Sequence, residues 1–320
     1  MGRPQKAAHA LSRLRRLDAD HPALVEELAE IQANHDYETS LGKATYIDCF
    51  RGSIGKRLAT GCLLQGLQQL TGVNFIFYYG TSFFKSSGIG NPFVITVVTD
   101  VVNVCSTLPG IYMVEKWGRR PLLFWGAIGM FVCQYIVAIT GTADPNGHAA
   151  NQVLVAFVCI YIFFFASTWG PIAWVVTGEI FPLKARAKCL SMTTATNWLL
   201  NWAIAYATPY LVNSGPGNAN LGSKVFFIWG TFCLICAFFV YSLIYETKGL
   251  SLEQVDELYA KESKAWRSTK FVPTVSYQEV QEAHRGDRSM SLADIEATAG
   301  RKKSAVHIDH TAQNTLSEKY

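Results

Sequence analysis

Long apolar stretches alternate with short polar segments along most of this chain. A helix that crosses a membrane needs about 20 apolar residues. Six stretches meet that need, at residues 58–82, 93–114, 121–143, 152–178, 188–212 and 223–245. The run Val153–Gly178 has no charged residue, and a soluble helix is rarely apolar on every side over such a length. The pattern predicts an all-α membrane protein with six transmembrane helices.

The polar segments lie mainly at the two ends of the chain, and they set its domain organisation. The C-terminal end is rich in Ser, Thr and charged residues, a composition typical of segments without fixed structure. We expect four regions: a cytoplasmic helical linker at 1–57, a six-span bundle at 58–245, a cytoplasmic helix at 246–263 and a disordered cytoplasmic tail at 264–320.

Charge and composition support the membrane interpretation and predict the orientation of the chain in the membrane. Half of the residues are hydrophobic and 16% are charged, against about a quarter charged in a soluble domain. If both termini are cytoplasmic, the inner connections carry ten Lys or Arg residues and the outer loops carry only Lys85 and Lys224. Basic residues favour the cytoplasmic side, so we expect a multi-pass protein with both termini inside. The net charge of +4 gives no reason to expect a nucleic-acid partner.

Polar side chains inside the spans recur at helical spacing. Uncompensated polar groups are costly in lipid, so such a stripe is expected to face the bundle interior or a water-filled cavity. The stripes comprise Gln65, Gln68, Gln69 and Gly72 in the first span, Thr96, Thr99, Asp100, Asn103 and Thr107 in the second, and Thr194, Asn197 and Asn201 in the fifth.

Two spans carry signals for a break. Asn74 lies six residues after Gln68, about 240° around a regular helix, so it does not share the stripe of the first span. A break after Thr71, at Gly72, would turn the following residues inward. Gly170-Pro171 in the fourth span offers a second break, and broken helices around a central site are typical of transporters.

The inward groups are mainly neutral amides and hydroxyls beside aromatic rings. Amides can pair with the hydroxyls of a sugar, and an indole face can pack against its C–H groups. Alternatively, the same groups hold helices together, and the residues alone leave both interpretations open. The sequence shows no phosphate loop, nucleophile elbow or cluster of metal ligands. We therefore expect no enzymatic activity, no cofactor and no metal. Cys233 and Cys236 form a CxxC inside an apolar run and are interpreted as helix-packing residues.

Four motifs resemble those of sugar porters of the major facilitator superfamily, and their sequences are similar to those of fungal hexose transporters. They are QQLTGVNFIFYY from Gln68, EKWGRR from Glu115, GEIFPLKARAK from Gly178 and ETKGLSLEQVDELY from Glu246. Their order and spacing match spans seven to twelve of that family. The resemblance covers about residues 5–263 and implies the C-terminal half of a twelve-span fold.

The resemblance implies a hexose site on this half. Gln68, Gln69, Asn74 and Asn103 would bind the hydroxyls, and Trp174 would pack against the ring. Asn197 is a further candidate, and Tyr78 and Tyr79 resemble aromatic residues of the outer gate. Ion pairs at the cytoplasmic edge would latch the inner side shut, and the residues at that edge are Glu115, Arg119, Arg120, Glu179, Arg186 and Glu246.

The sequence also departs from the family pattern. Ala166 replaces an acidic residue of the animal facilitators, and Tyr245 replaces the usual proline before ETKG. The first six spans of the family are absent, so we expect a truncated hexose transporter of the plasma membrane whose missing partner is the N-terminal half. A co-transported proton is left open. The alternatives are a sugar sensor of the same fold and a half-length fragment that does not transport.

Overall fold

The chain forms a bundle of helices in a computed structural model that describes residues 9–13, 44–86, 91–144, 147–213, 215–262 and 264–271. Those ranges contain no β-strand, so the predicted all-α class is confirmed for them. Residues 9–13 are helical. The rest of the predicted linker helices lies outside the described residues.

The α-helices beyond residue 51 are labelled in chain order. Three short 3-10 turns accompany them, at Asp48–Phe50, Gly222–Lys224 and Ala265–Lys270, and a π-helical turn at Phe165–Trp169 joins α5 to α6. The helices are α1 (Gly52–Leu70), α2 (Val73–Ser86), α3 (Pro92–Trp117), α4 (Arg119–Ala143), α5 (His148–Phe164), α6 (Gly170–Glu179), α7 (Arg186–Val212), α8 (Val225–Leu243) and α9 (Leu252–Lys261).

Four of the described helical segments are long and apolar enough to cross a membrane. They correspond to the second, third, fourth and sixth predicted spans: Phe93–Trp117, Arg119–Ala143, Ala149–Glu179 and Gly222–Leu243. The other two predicted spans are also helical. The first is divided between α1 and α2, and α7 carries the amide stripe of the fifth. That these two cross the membrane remains a prediction.

Close packing of small residues holds the long helices together. A side chain at Gly126 of α4 would meet Thr168 of the π-helical turn, and one at Gly230 of α8 would meet Tyr135 of α4. Small residues of this kind let helix backbones approach closely in membranes. The glycines therefore fix the spacing of α4 against its two neighbours.

Three phenylalanine rings fix α2 on α8. Phe75 and Phe83 of α2 and Phe226 of α8 make edge-to-face pairs with centroids 5.4 to 5.5 Å apart. Such pairs contribute about 0.5–1.5 kcal/mol each beyond the area they bury. The half of the first span that follows the break is therefore anchored to the last span.

Two helices leave apolar faces exposed on the outside of the bundle. On α3 these side chains include Phe93, Val97, Val101, Val104 and Leu108, and on α7 they are Trp198, Leu199, Trp202, Tyr206 and Tyr210. Continuous apolar surface of this kind is typical of contact with lipid or with another protein surface. The exposed sides of α3 and α7 therefore suit a bilayer or a second half of the fold.

The chain after the last span is ordered further than predicted. Helix α9 lies within the range predicted for a helix after the last span, and it begins with a capping box in which Ser251 and Gln254 bond to each other's backbone. Such a box stabilises the start of a helix. The tail was expected to be disordered from residue 264, but its first residues are ordered, because Ala265–Lys270 forms a 3-10 turn packed on the end of α8. Residues 272–320 lie outside the described residues.

Candidate functional site

The first predicted span is interrupted at the predicted position. Helix α1 ends at Leu70 and α2 begins at Val73, and the Thr71 hydroxyl donates to the Gln68 carbonyl oxygen at 2.7 Å. Gly72 has a φ of +85°, which favours glycine over residues with a side chain. A Cβ at this position would also lie 2.5 Å from the Trp229 ring. Both the backbone and the space therefore require glycine at the break.

Two neighbouring helices satisfy the backbone that the break exposes. The buried Thr71 carbonyl oxygen accepts hydrogen bonds from Gln134 Nε2 of α4 at 2.7 Å and from the Tyr161 hydroxyl of α5 at 3.0 Å. Broken membrane helices are tolerated where neighbouring helices re-satisfy the freed groups. Sequence analysis missed both residues, although Gln134 is a polar residue in an otherwise apolar span.

Behind the break, α1 and α7 are joined by fully buried amides. Gln65, Gln68 and Asn197 are 0%, 3% and 4% exposed. Asn197 Nδ2 donates to Gln65 Oε1 at 2.7 Å and to Gln68 Oε1 at 2.9 Å. Gln68 Nε2 donates to the carbonyl oxygens of Trp169 at 2.8 Å and Gly170 at 3.1 Å. These three amides therefore connect the first, fourth and fifth predicted spans.

A second layer of amides lies at the edge of the first. Gln69 Oε1 accepts from Asn74 Nδ2, and from Asn201 Nδ2 at 3.3 Å. Asn201 Oδ1 in turn accepts from the Tyr78 hydroxyl at 3.3 Å, and the Tyr78 side chain is 54% exposed. The break thus brings Asn74 beside Gln69, as expected from Gly72. We call Gln65, Gln68, Gln69, Asn74, Asn197 and Asn201 the amide network.

The fourth span widens where the sequence suggested a break. The Gly170 N–H donates to the Phe165 carbonyl, five residues back, and the helix continues through Pro171. This π-helical turn buries Trp169, whose Nε1 donates to the Leu123 carbonyl oxygen at 2.8 Å. Such turns often occur at functional sites, and here the turn presents its carbonyls to Gln68.

Three other candidates lie apart from the amide network. Asn103 of α3 is half-buried, and its side chain makes no hydrogen bond with any residue that the structure describes. Trp174 of α6 is 43% exposed. The Tyr79 hydroxyl donates to a backbone carbonyl of α7 at 2.8 Å. Asn103 and Trp174 therefore have capacity to contact a ligand, whereas Tyr79 is used in packing.

Four of the six predicted inner charges, Arg119, Arg120, Glu179 and Glu246, form one connected group around α4. Arg119 makes a two-pronged contact with Glu179 of α6, at 2.7 Å from Nη2 to Oε1 and 3.2 Å from Nε to Oε2. The Thr247 hydroxyl donates to Glu179 Oε2 at 2.6 Å. Arginine–carboxylate pairs of this geometry are the stronger ones, and this pair is partly buried.

The Glu246 side chain, which comes from the segment after α8, caps the N-terminus of α4. Its carboxylate accepts from the backbone N–H groups of Arg119 and Arg120, each at 3.0 Å, and from the Lys248 N–H at 3.0 Å. A carboxylate here is stabilised by the free N–H groups and the positive end of the helix dipole. Gly118 has a φ of +94°, and a Cβ there would lie 2.6 Å from Glu246 Oε2. Arg119, Arg120, Glu179, Glu246, Thr247 and Lys248 are called the inner charge network below.

The remaining predicted inner charges lie outside this network. Arg186 donates to the Gly178 carbonyl near the end of α6, and Glu115 is exposed. The structure adds a buried cation that sequence analysis missed. Arg57 pairs with Asp256 of α9 and lies 4.3 Å from the ring centre of Tyr259. Burial raises the pKa of Tyr259, and the charge of Arg57 opposes part of that rise. Arg57 therefore joins α9 to the start of α1.

Comparisons with known proteins identify the family of the chain. A family model described as "Sugar (and other) transporter" matches residues 1–259. The chain is 59% identical to the major facilitator-type transporter ecdD of Aspergillus rugulosus and 55% identical to the probable glucose transporter rco-3 of Neurospora crassa. These matches cover 90% and 88% of this chain but 55% and 49% of the relatives. The chain thus spans about half the length of these relatives.

A sensor and a symporter are also similar to the chain. It is 41% identical to the high glucose sensor RGT2 of Saccharomyces cerevisiae, over 83% of this chain and 36% of the sensor. The solved structure of the proton:xylose symporter XylE bound to 6-bromo-6-deoxy-D-glucose has a TM-score of 0.62 and 26% identity, over 81% of this chain and 52% of that one. The family match spans most of the sequence, and the chain belongs to the sugar transporter family of the major facilitator superfamily.

Proposed function

We propose that this chain is the C-terminal half of a hexose transporter that works by alternating access. The observation that carries the proposal is the amide network gathered around the break in the first span. Family membership supports a sugar as the cargo, and similarity to a protein named a probable glucose transporter favours a hexose. The chain would supply six spans, including α1–α2 and α7, and an N-terminal half would supply the other six.

The sugar contacts are proposed in two layers. Gln69 is buried and Asn74 is half-buried, at the edge of the network that leads through Asn201 to the exposed Tyr78. There the two amides would exchange their mutual bond for bonds to sugar hydroxyls. Asn103 would approach from α3, and the exposed ring of Trp174 would pack against the C–H face of the sugar. Gln68 and Asn197 lie deeper; we place them in the site as the groups that orient Gln69. Gln65 and Asn201, which the sequence analysis placed in the polar stripes of the first and fifth spans, are the remaining members of the amide network.

The chemistry of the network favours a neutral ligand. Its members are amides, which donate and accept hydrogen bonds without carrying a charge. A sugar phosphate would bring a negative charge close to these groups, and a charge without a partner is costly inside a membrane. We therefore expect hexoses to be preferred over hexose phosphates. A proton-coupling acid would have to lie outside the amide network.

The inner charge network is proposed to act in the conformational cycle. Its bonds join α4, α6 and the residues after α8, so the cytoplasmic ends of three spans would move as one unit. Rigid units that rock against each other are the basis of alternating access in this fold class. Arg119, Arg120, Glu179 and Glu246 form that unit, and Arg186 and Glu115 would act at its border. We place this edge, and both termini, on the cytoplasmic side of the plasma membrane.

The proposal is tested by expression in a cell that lacks hexose transporters. Residues 1–320 alone are expected to give no saturable uptake of labelled glucose, because the exposed faces of α3 and α7 then have no second half to rock against. Co-expression with a six-span N-terminal half of this fold should restore uptake, and that N-terminal half alone is the control. Saturable uptake by residues 1–320 alone would show that one half suffices. No uptake by the pair, with both halves at the membrane, would refute the transport proposal.

Similarity to a glucose sensor supports a second candidate function. A sensor of this fold would bind hexose at the same amides but would signal through its cytoplasmic segments. The same cells separate the two: a sensor pair would bind labelled glucose at the membrane without accumulating it inside. A half that only assembles with a partner would do neither.

A further inference from the structure

The short segment that follows α9 folds back onto the inner charge network. We call Ala265–Lys270 the clip. Ser268 is 4% exposed, and its hydroxyl is used twice: it accepts from the Glu246 backbone N–H at 2.8 Å and donates to the Ala265 carbonyl oxygen at 2.6 Å. The clip therefore forms a direct bond to the residue whose carboxylate caps α4.

A second contact reaches the network through an aromatic pair. The Trp266 ring stacks on the Tyr241 ring of α8, with centroids 5.9 Å apart and planes 8° from parallel. The Arg120 guanidinium lies 5.5 Å from the centre of the same Tyr241 ring, and its Nη2 donates to the Tyr241 carbonyl oxygen at 3.0 Å. Trp266 and Arg120 are thus linked through one tyrosine of α8.

The position of Glu246 explains why these contacts matter. Helix α8 ends at Leu243, and residues 244–247 have no regular secondary structure. The Glu246 backbone N–H therefore has no helical acceptor, and Ser268 is the group that fixes it. A carboxylate is held more firmly on two N–H groups of α4 when its own backbone is also restrained. The Ser268 bond supplies that restraint at the Glu246 backbone.

We propose that the clip positions Glu246 and Arg120 within the inner charge network and so sets the rate of the transport cycle. Ser268 and Trp266 are positioning residues, since they act on the network through Glu246 and Tyr241 and lie apart from the amide network. Their loss should slow the cycle and leave sugar affinity unchanged. The inference rests on the proposed transport function.

One arm of the test measures whether the clip is seated, without any need for transport. Ser268→Cys and the neighbouring, exposed Thr269→Cys are placed separately in the full chain in membranes with an open cytoplasmic face. A maleimide that cannot cross membranes should label the thiol at position 269 and leave that at position 268 largely protected, as read by peptide mapping. Adding Trp266→Ala should remove the protection. Equal labelling at the two positions without Trp266→Ala would overturn the clip.

The other arm measures glucose uptake by the co-expressed halves at matched surface levels. Ser268→Ala and Trp266→Ala should each lower the maximal rate about two- to tenfold, the effect of one modest interaction, with KM unchanged. Ser268→Thr and Trp266→Phe keep the hydroxyl and the stacking ring and should restore the rate. Thr269→Ala is the matched control and should behave as wild type.

The combined results separate the two proposals. A wild-type rate for Ser268→Ala and Trp266→Ala, or a raised KM with an unchanged rate, would overturn the role of the clip. If Ser268→Ala still lowered the rate in a Glu246→Gln background by its full factor, the two residues would not act as one unit and the inference would fail. Absence of uptake by the wild-type pair would instead refute the proposed function, while the labelling would still decide whether the clip is seated.

Discussion

The hydrogen bonds that stabilise the break in the first span predict a specific pattern of stability losses. Gln134 and Tyr161 both donate to the buried Thr71 carbonyl oxygen. Either donor alone can satisfy that oxygen. Among the residues that the structure describes, its other side-chain contact is a weak one from Cys233 Sγ at 4.0 Å. Tyr161→Phe and Gln134→Leu each remove one donor, and the double variant removes both.

The expected costs follow from what each change leaves behind. Tyr161→Phe loses one hydrogen bond, with a net cost of about 0.5–1.5 kcal/mol. Gln134→Leu loses a similar bond but also removes the buried Gln134 Oε1, which has no partner among the described residues, so its cost should be smaller. The double variant leaves the Thr71 carbonyl unsatisfied in the bundle interior, which adds about 1–3 kcal/mol. The double variant should therefore cost more than the sum of the single changes.

Thermal unfolding of the purified chain in detergent measures this pattern. For a domain of about 150–250 residues, each kcal/mol shifts the unfolding midpoint by about 2–4 °C. The extra destabilisation of the double variant should therefore give a measurable shift of the midpoint. Tyr135→Phe is the matched control, because it removes a tyrosine hydroxyl from the helix that carries Gln134, and that hydroxyl makes a solvent-exposed bond with Thr231 at 3.0 Å. The loss of an exposed bond should change stability little. Additive losses in the double variant would show that the two donors do not share one acceptor, and the account of the break would be wrong.

Two further predictions concern uptake by the co-expressed halves. Gln69→Ala and Asn103→Ala should each raise KM for glucose about two- to tenfold, since each removes one hydrogen-bonding partner worth about 0.5–1.5 kcal/mol; unchanged kinetics at matched surface levels would exclude them from the site. Arg119→Ala or Glu179→Ala should lower the maximal rate and leave binding of labelled glucose intact, because their ion pair lies in the inner charge network; weaker binding with a normal rate would contradict that assignment.

Local signals in the sequence were enough to predict the main features of the fold around the site. Hydrophobic length located the helices, and the spacing of Gln65, Gln68 and Gln69 placed them on one face. The mismatch of Asn74 with that face required a break, and Gly72 was a residue that could make one. Each of these inferences depends on residues within two turns of one another, where helical geometry alone fixes relative positions.

The features that sequence analysis missed depend on residues far apart in the chain. Gln134 and Thr71 are separated by 63 positions, and Arg57 and Asp256 by 199. No local period relates such pairs, so their meeting follows only from how the helices pack. The clip was missed for a related reason: its composition is polar, and its order comes from Ser268 and Trp266 contacting the end of α8. Composition indicates whether a segment would fold alone, and it does not include the stabilising contacts that a neighbouring helix provides.

The amides of the first span were open to two interpretations in the sequence, helix contact and ligand binding, and the structure shows the helix contacts directly. Gln65, Gln68 and Asn197 are buried and bonded to one another, so they act as interhelical contacts. Gln69 and Asn74 bond to each other at an edge that continues to an exposed tyrosine. A ligand at that edge would exchange a bond between two side chains for bonds to its own hydroxyls, a modest change in free energy for each pair. Because the deeper amides already fix the position of Gln69, little side-chain ordering would oppose binding. The helix contacts are therefore a condition of the proposed binding site, and the two roles do not compete.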